Sequence, residues 1–359
     1  MKVVLISRPT LFTTPGGDTV QIKQTACELV KLGVEVDIKL ADEEINYENY
    51  DLLHFFNIIR PNAITAHVKQ ANKPFVISTI FVDYSEIEKK IRGSFFKVLS
   101  TLFGADGTDY LKTLGRFILN GESIIDSSYL YRGHQSSIEE LLNSSSLLLP
   151  NSMNEFFRLK ERYDFRNTYI KVPNGVADVF FEQPLKVEKE DIVLCIGRIE
   201  FIKNQLNLIK ALNKTDIPLY IIGKPAPNHQ HYFDLCKQLA SDNIHFLGYL
   251  NQEEIISWLD RAKVHVLPSW FETTGLSTME AIARQCNVVI TRKGDTVEYF
   301  DDLAYYCDPS KPKSIRKAIE KALRNPINEK LINKVKETYR WSEAAKKTKE
   351  AYLQVLNKN

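Results

Sequence analysis

One stretch limits what this chain can become: Pro268-Ser269-Trp270-Phe271-Glu272-Thr273-Thr274-Gly275-Leu276-Ser277-Thr278-Met279-Glu280-Ala281-Ile282-Ala283-Arg284. Just before it, Val264-His265-Val266-Leu267 reads as a short buried strand. After Gly275, the residues Leu276, Met279, Ile282 and Ala283 recur at the spacing of a helix with one apolar face. Thr273 or Thr274 is expected to cap that helix, and Gly275 to let backbone approach a ligand. A strand that ends in a loop and opens into a helix presents free N–H groups and a positive dipole end. Such an end suits an anion such as a phosphate. Glu272 in the loop and Glu280 on the helix read blandly as solvated carboxylates. The small apolar run Ala281-Ile282-Ala283 places Glu280 beside a packed face, which favours a functional reading.

A second motif lies upstream. Ile192–Ile196 reads as a strand that ends in Gly197-Arg198-Ile199-Glu200-Phe201-Ile202-Lys203-Asn204, followed by a helix carrying Leu206, Leu208, Ile209 and Leu212. Arg198 and Lys203, held at a strand end and a helix start, can grip the two phosphates of one diphosphate, arginine as a fork and lysine as a point charge. The plain alternative, a surface pair on an ordinary loop, fits the preceding strand and Gly197 less well.

Together these segments resemble the signature of glycosyltransferase family 4, the retaining glycosyl transferases group 1 with the two-domain GT-B fold. The resemblance lies in Pro268-Ser269, Glu272, Gly275-Leu276, Glu280-Ala281 and the Gly197-Arg198…Lys203 element. It departs at Thr273-Thr274, where family members often carry Gly-Phe. The fold implied is α/β, two Rossmann-like domains facing across a cleft, with the C-terminal helix crossing back to the first. The expected division is 1–178 plus 340–359 for the acceptor domain and 179–339 for the nucleotide-sugar domain. Trp341-Ser342 resembles the crossover point.

The remaining composition is consistent with two such domains. A chain of 359 residues, 44% hydrophobic, can build two cores. A formal charge of +2 gives no case for nucleic acid as the main partner. Cys27, Cys195, Cys236, Cys286 and Cys307 are odd in number and unpaired in spacing, which points to a reduced, cytoplasmic setting. The start, Met1-Lys2-Val3-Val4-Leu5-Ile6-Ser7, is too short an apolar run for a signal peptide and reads as a first strand. Nothing approaches the ~20 apolar residues of a membrane span.

In the first half, strand Lys2–Ser7, a loop with Gly16-Gly17, a helix ending near Leu32 and strand Val34–Leu40 form a βαβ unit. The loop lacks the G-x-G-x-x-G spacing of a nicotinamide fold. Strands follow at Asp51–Phe55 and Pro74–Ile80, with a helix over Ala63–Gln70 between them. His54 within a strand is expected to pack. Many family members carry a histidine after the fourth strand; here the run Ser78-Thr79-Ile80-Phe81-Val82-Asp83 has none, and Asp83 is the nearest polar candidate. The basic, aromatic stretch 89–118 suits either its own core or an anionic membrane surface. Tyr129-Leu130-Tyr131-Arg132-Gly133-His134 precedes a helix and can line the acceptor side. Strand Leu147–Leu149, a helix capped by Pro150-Asn151-Ser152, and strand Tyr169–Val172 complete this half.

By resemblance, Arg198, Lys203 and Glu272 act on the reacting sugar and leaving diphosphate, with Glu272 holding a sugar hydroxyl. Glu280 holds the ribose, and Gly16, Gly17, Gly197, Gly223, Tyr249, Leu250, Thr273, Thr274, Gly275 and Leu276 border the donor. Asp83 and His134 stand on the acceptor side. The implied partners are a nucleoside-diphosphate sugar and a glycan or lipid-linked acceptor, with peripheral membrane contact through 89–118. No cofactor or metal is expected, and the chain has no D-x-D pair. The implied role is surface polysaccharide synthesis in bacteria. Two alternatives remain: a catalytically silent GT-B binding scaffold, and an epimerase of nucleotide sugars on the same fold. A pyridoxal phosphate phosphorylase would need a far larger cofactor domain.

Overall fold

A computed structural model describes residues 1–82, 128–182 and 188–357. Asp83 and the whole 89–118 stretch therefore lie outside the described residues. The chain divides into two units, Met1–Pro173 with Ala345–Asn359, and Asn174–Ala344.

The first unit holds a five-stranded sheet of β1 (Lys2–Ser7), β2 (Glu35–Leu40), β3 (Leu52–Phe56), β4 (Phe75–Ser78) and β5 (Leu147–Leu148). The order is β2-β1-β3-β4-β5 and every pairing is parallel. Parallel strands are covered on both faces, which is why β1 and β3 are almost unbroken apolar runs. Helices α1 (Gly17–Lys31), α2 (Pro61–Ala71), α3 (Ser128–Ser144) and α4 (Met153–Arg162) connect them. Val4, Ile6, Leu53, Phe55, Ile77 and Leu148 share one core with Ile138, Leu142 and Phe156. The cap expected before α4 is present: Ser152 Oγ accepts from Glu155 N at 2.9 Å. The strand expected over Tyr169–Val172 is not formed. Tyr169 makes an isolated bridge to Leu148, and the segment runs alongside β5 through Leu148 N to Thr168 O, Ile170 N to Leu148 O and Val172 N to Pro150 O without forming a full ladder.

His54 packs, as expected of a histidine inside a strand. Its ring contacts Tyr352 Oη at 2.6 Å and Ser78 Oγ at 2.9 Å. Burial pushes it down to about 3, so it stays neutral and cements the last helix to the sheet.

The second unit holds a six-stranded sheet in the order β11-β10-β9-β6-β7-β8. These are β6 (Glu190–Ile196), β7 (Leu219–Ile222), β8 (Ile244–Gly248), β9 (Ala262–Leu267), β10 (Asn287–Thr291) and β11 (Tyr305–Cys307). All are parallel. Its helices are α5 (Gln205–Leu212), α6 (Gln230–Leu239), α7 (Gln252–Arg261), α8 (Leu276–Ala283), α9 (Thr296–Phe300), α10 (Pro312–Arg324) and α11 (Glu329–Thr338), before α12 (Trp341–Leu356). Alternation along the strands builds two cores, one per face. Leu194, Ile196, Val288 and Ile290 pack with Met279 and Ile282 of α8. Val193, Cys195, Val264, Val266 and Val289 pack with Leu208, Leu212 and Ile319 on the other face. The chain enters and leaves this unit side by side, where Val176 N donates to Tyr339 O at 2.8 Å and Val176 bridges Arg340. All five cysteines are free. Among the described residues no helix is long and apolar enough to cross a membrane.

The end of α8 is locked by a buried ion pair. Arg284 Nη2 lies 2.6 Å from Asp260 Oδ2 with both side chains almost wholly buried. Arg284 Nη1 also donates to Glu182 O at 2.7 Å, tying down the segment that leads into β6. Removing one partner leaves an uncompensated buried charge. Asp260→Ala is expected to cost about 3–5 kcal/mol in urea denaturation. Glu190→Ala, which breaks the exposed pair with Arg261, should cost less than about 1 kcal/mol in the same assay.

Candidate active site

The C-terminal edge of the six-stranded sheet is where the motif residues meet. After β6 and β7 the loops pack backbone on backbone: a methyl group on Gly223 would fall on the Gly197 carbonyl. Gly197 N donates to Ile222 O at 3.0 Å, Ile199 N to Lys224 O at 2.9 Å and Gly223 N to Gly248 O at 2.7 Å. Three successive strand ends are thereby laced together. This leaves Arg198 at the surface, its side chain 43% exposed and its guanidinium 3.3 Å from Glu200 Oε1.

Lys203 ends a 3-10 turn, Phe201–Lys203, that is pinned to the central motif. Trp270 N donates to Ile202 O at 2.8 Å, and the Phe201 and Trp270 rings stack within 11° of parallel. Asn204 adopts a left-handed conformation and its side-chain amide donates to Pro268 O at 2.9 Å and Pro309 O at 2.8 Å. These ties deliver Lys203 Nζ to Glu272 Oε2 at 2.7 Å, and Ser269 Oγ donates to the same oxygen at 3.0 Å. Glu272 is held from the other side as well. Its N–H donates to Lys293 O, Asp295 N donates to its carbonyl, and a methyl on Gly294 would fall on that carbonyl. Burial, reinforced by the Lys203 charge, pushes His265 of β9 down to about 3.

The α8 start differs from the expected form. Neither Thr273 nor Thr274 caps the helix; Gly275 does, at φ 71° and with no side-chain bond. Thr274 is turned away because Asn174 Nδ2 donates to its hydroxyl at 3.1 Å and its hydroxyl reaches Tyr299 Oη at 3.4 Å. Both partners come from distant parts of the chain, so no local pattern signals them. Leu276 is half-buried against the core, and Ser277 Oγ ties the first turn to Ile196 O at 2.9 Å.

Glu280 stands on α8 with part of its surface still accessible, yet protein surrounds its carboxyl closely enough that burial pushes it up to about 8. Among the described residues no hydrogen-bond donor meets that carboxyl. Any hydrogen-bond donor that reaches this carboxyl would favour its ionised form.

Tyr249 follows Gly248 and is 68% exposed, with Lys224 Nζ 5.1 Å from its ring centre, whereas Leu250 is half-buried against the core. Gly16 and Gly17 lie in the first unit, at the cap and first residue of α1. His134 is also in the first unit, buried just after a kink at Gly133 within α3. Asp83 lies outside the described residues. Sequence reasoning passed over Ser269 as a partner of Glu272, although Ser269 belongs to the signature. It also passed over Glu155, a fully buried carboxylate on α4 that accepts from Thr79 Oγ1, from Phe81 N at 3.0 Å and from Asn151 N at 3.0 Å. Glu155 thereby fixes the exit of β4.

Comparison with known proteins bears on this edge. Residues 176–348 match the family model described as glycosyl transferases group 1. An uncharacterized glycosyltransferase of Methanocaldococcus jannaschii is 28% identical over 177 residues, 46% of this chain and 45% of the relative. The D-rhamnosyltransferase WbpZ of Pseudomonas aeruginosa is 25% identical over 138 residues, 37% of this chain and 36% of the relative. The matches thus span under half the length of these curated relatives. In structure, a sucrose-phosphate synthase from Thermosynechococcus elongatus superposes with a TM-score of 0.77 at 14% identity, covering 100% of both chains. The Anabaena protein HepE in complex with UDP-glucose gives 0.72 at 14% identity, over 99% of this chain and 100% of that one.

The raised Glu280 carboxyl has a consequence for stability. The folded protein keeps a proton there that the unfolded chain releases near the ordinary carboxylate range. Stability is therefore lost as pH rises through the window from that range to about 8. Glu280→Gln should have little effect on the melting temperature at about pH 5 and should raise it relative to wild type at about pH 8. An unchanged difference across that range would show that the carboxyl titrates normally.

Proposed function

We propose that this chain, which has the GT-B fold and whose residues 176–348 match the glycosyl transferases group 1, is a glycosyltransferase. On this reading it moves a sugar from a nucleoside diphosphate to a hydroxyl of a glycan, glycolipid or similar acceptor, with retention at the anomeric carbon and without a metal. The observation that carries it is that the loop after β6 holds both an exposed Arg198 and a Lys203 that lies 2.7 Å from Glu272. Breaking a sugar–phosphate bond leaves negative charge on the diphosphate and positive charge on the ring. The Arg198 and Lys203 cations and the N–H groups opening α8 suit the first, and the Glu272 carboxylate suits the second. The likeness to HepE in complex with UDP-glucose makes UDP-sugars the first donors to test. Same-face displacement, with the leaving phosphate helping to deprotonate the acceptor, requires no protein nucleophile. An acceptor that becomes bacterial surface polysaccharide suits this chemistry, as does work on the cytoplasmic side of a membrane.

Glu280 and its missing donors fit the ribose hydroxyls of the nucleotide. Hydroxyls donating to this carboxyl would favour its ionised form, so nucleotide affinity should rise with pH toward about 8, and Glu280→Gln should flatten that dependence.

The direct test is turnover of UDP-, GDP- and ADP-sugars, with and without EDTA, and NMR of the product's anomeric proton. Arg198→Ala and Lys203→Ala should each cut turnover at least ~100-fold. An inverted product, or activity lost to chelator and restored by manganese, would overturn the reading. Glu272→Gln should lower turnover while free nucleoside diphosphate binds at least as tightly as in wild type. Lys203 then no longer has to leave a carboxylate to reach phosphate.

A further inference from the structure

One guanidinium shapes the loop between β1 and α1. Arg8 directly follows β1, and its side chain is only 12% exposed. Its Nε donates to Asp18 Oδ2 at 2.6 Å and its Nη2 to Asp18 Oδ1 at 3.0 Å, a two-pronged contact with the first turn of α1. Nη2 also donates to Thr14 O at 2.9 Å. Nη1 reaches Thr10 O at 2.8 Å, Thr10 Oγ1 at 2.7 Å and Thr14 Oγ1 at 2.9 Å. Every nitrogen of the fork is thus engaged, with the loop residues Thr10 and Thr14 or with the first turn of α1. Arg198, by contrast, is left exposed at its sheet edge. The lacing continues through Asp18 Oδ1, which accepts from Thr19 N at 2.9 Å. Thr19 Oγ1 in turn accepts from Gly16 N and donates to Leu11 O, each at 3.0 Å.

We propose that Arg8 and Asp18 are positioning residues that hold the Gly16-Gly17 turn in one conformation for reaction. The inference rests on the glycosyl-transfer reading, which makes that turn face substrate. A loop with two adjacent glycines has much backbone freedom to lose when it meets a ligand. A clamp that removes this freedom beforehand raises the fraction of encounters in reactive geometry. Lysine cannot replace the fork, since one ammonium cannot serve Asp18, Thr10 and Thr14 in those directions.

The test uses Arg8→Lys, Arg8→Ala and Asp18→Asn in the full chain. Three quantities are compared: amide exchange over 10–17, kcat and KM for the donor per folded molecule, and calorimetric binding of UDP. Arg8→Lys and Asp18→Asn are expected to speed exchange over 10–17 and leave β1 protected. Each should lower kcat about tenfold or more, with UDP affinity within about twofold of wild type. The double variant should be no slower than the worse single one, since both break the same clamp. If Arg8→Ala does not fold, Asp18→Asn still reports on the clamp. An active wild type whose Arg8→Lys variant keeps full kcat would overturn this inference alone. So would a loss of kcat that merely follows loosening of β1. A wild type inactive on every donor would overturn the glycosyl-transfer reading, and this inference with it.

Discussion

Backbone lying directly against backbone at the C-terminal edge of the six-stranded sheet is the constraint on which the site depends. Gly223 meets the Gly197 carbonyl and Gly294 meets the Glu272 carbonyl, with no side chain in between. Any β-carbon at either position would push two loops apart, and the residues they carry would separate with them. Arg198 and Lys203 share the loop after β6 and Glu272 stands on the loop after β9, so the position of each charge depends on how firmly its loop is held against its neighbour. The glycines do no chemistry, yet they set the distances at which chemistry becomes available.

The site's charges are not equally ready. Lys203 is already neutralised by Glu272, while Arg198 has only a 3.3 Å contact with Glu200. An incoming polyanion would meet Arg198 first and would have to compete for Lys203. That competition separates a group that attracts from a group that discriminates. It also means that Lys203 and Glu272 cannot be assigned independent roles, because altering either changes the state of the other.

Much of this was legible in the sequence, for a physical reason. Parallel strands are covered on both faces, so β1, β3 and the end of β6 stand out as nearly continuous apolar runs, and the loops after them follow by position. The loops of the central motif and of the Gly197–Lys203 element were readable because backbone lying on backbone demands glycine, as at Gly197 and Gly223. What could not be read were contacts whose partners lie far apart in the chain. Thr274 was expected to cap α8 on local grounds, and Asn174 and Tyr299 took its hydroxyl instead. The Lys203–Glu272 bond joins residues 69 positions apart, and Glu155 reaches Thr79 across 76. Arg8 was overlooked for a different reason: its acceptors are mostly ordinary threonine and carbonyl groups, which carry no signature.

The bond between His54 and Tyr352 bears on the order in which the molecule can be made. Its two ends are 298 residues apart, and Lys349, on the same last helix, donates to Leu32 O across a similar separation. During synthesis the strands of the first unit emerge before the second unit, but the helix that covers its histidine emerges only after the second unit's strands. At ordinary elongation rates that delay is on the order of tens of seconds. The second unit, whose strands and helices are contiguous, can close during that interval. The first unit therefore waits for the second to emerge before its sheet is covered, and until then the surface that Ala345, Ala351, Tyr352 and Val355 will bury stays open, the kind of apolar exposure that chaperones bind.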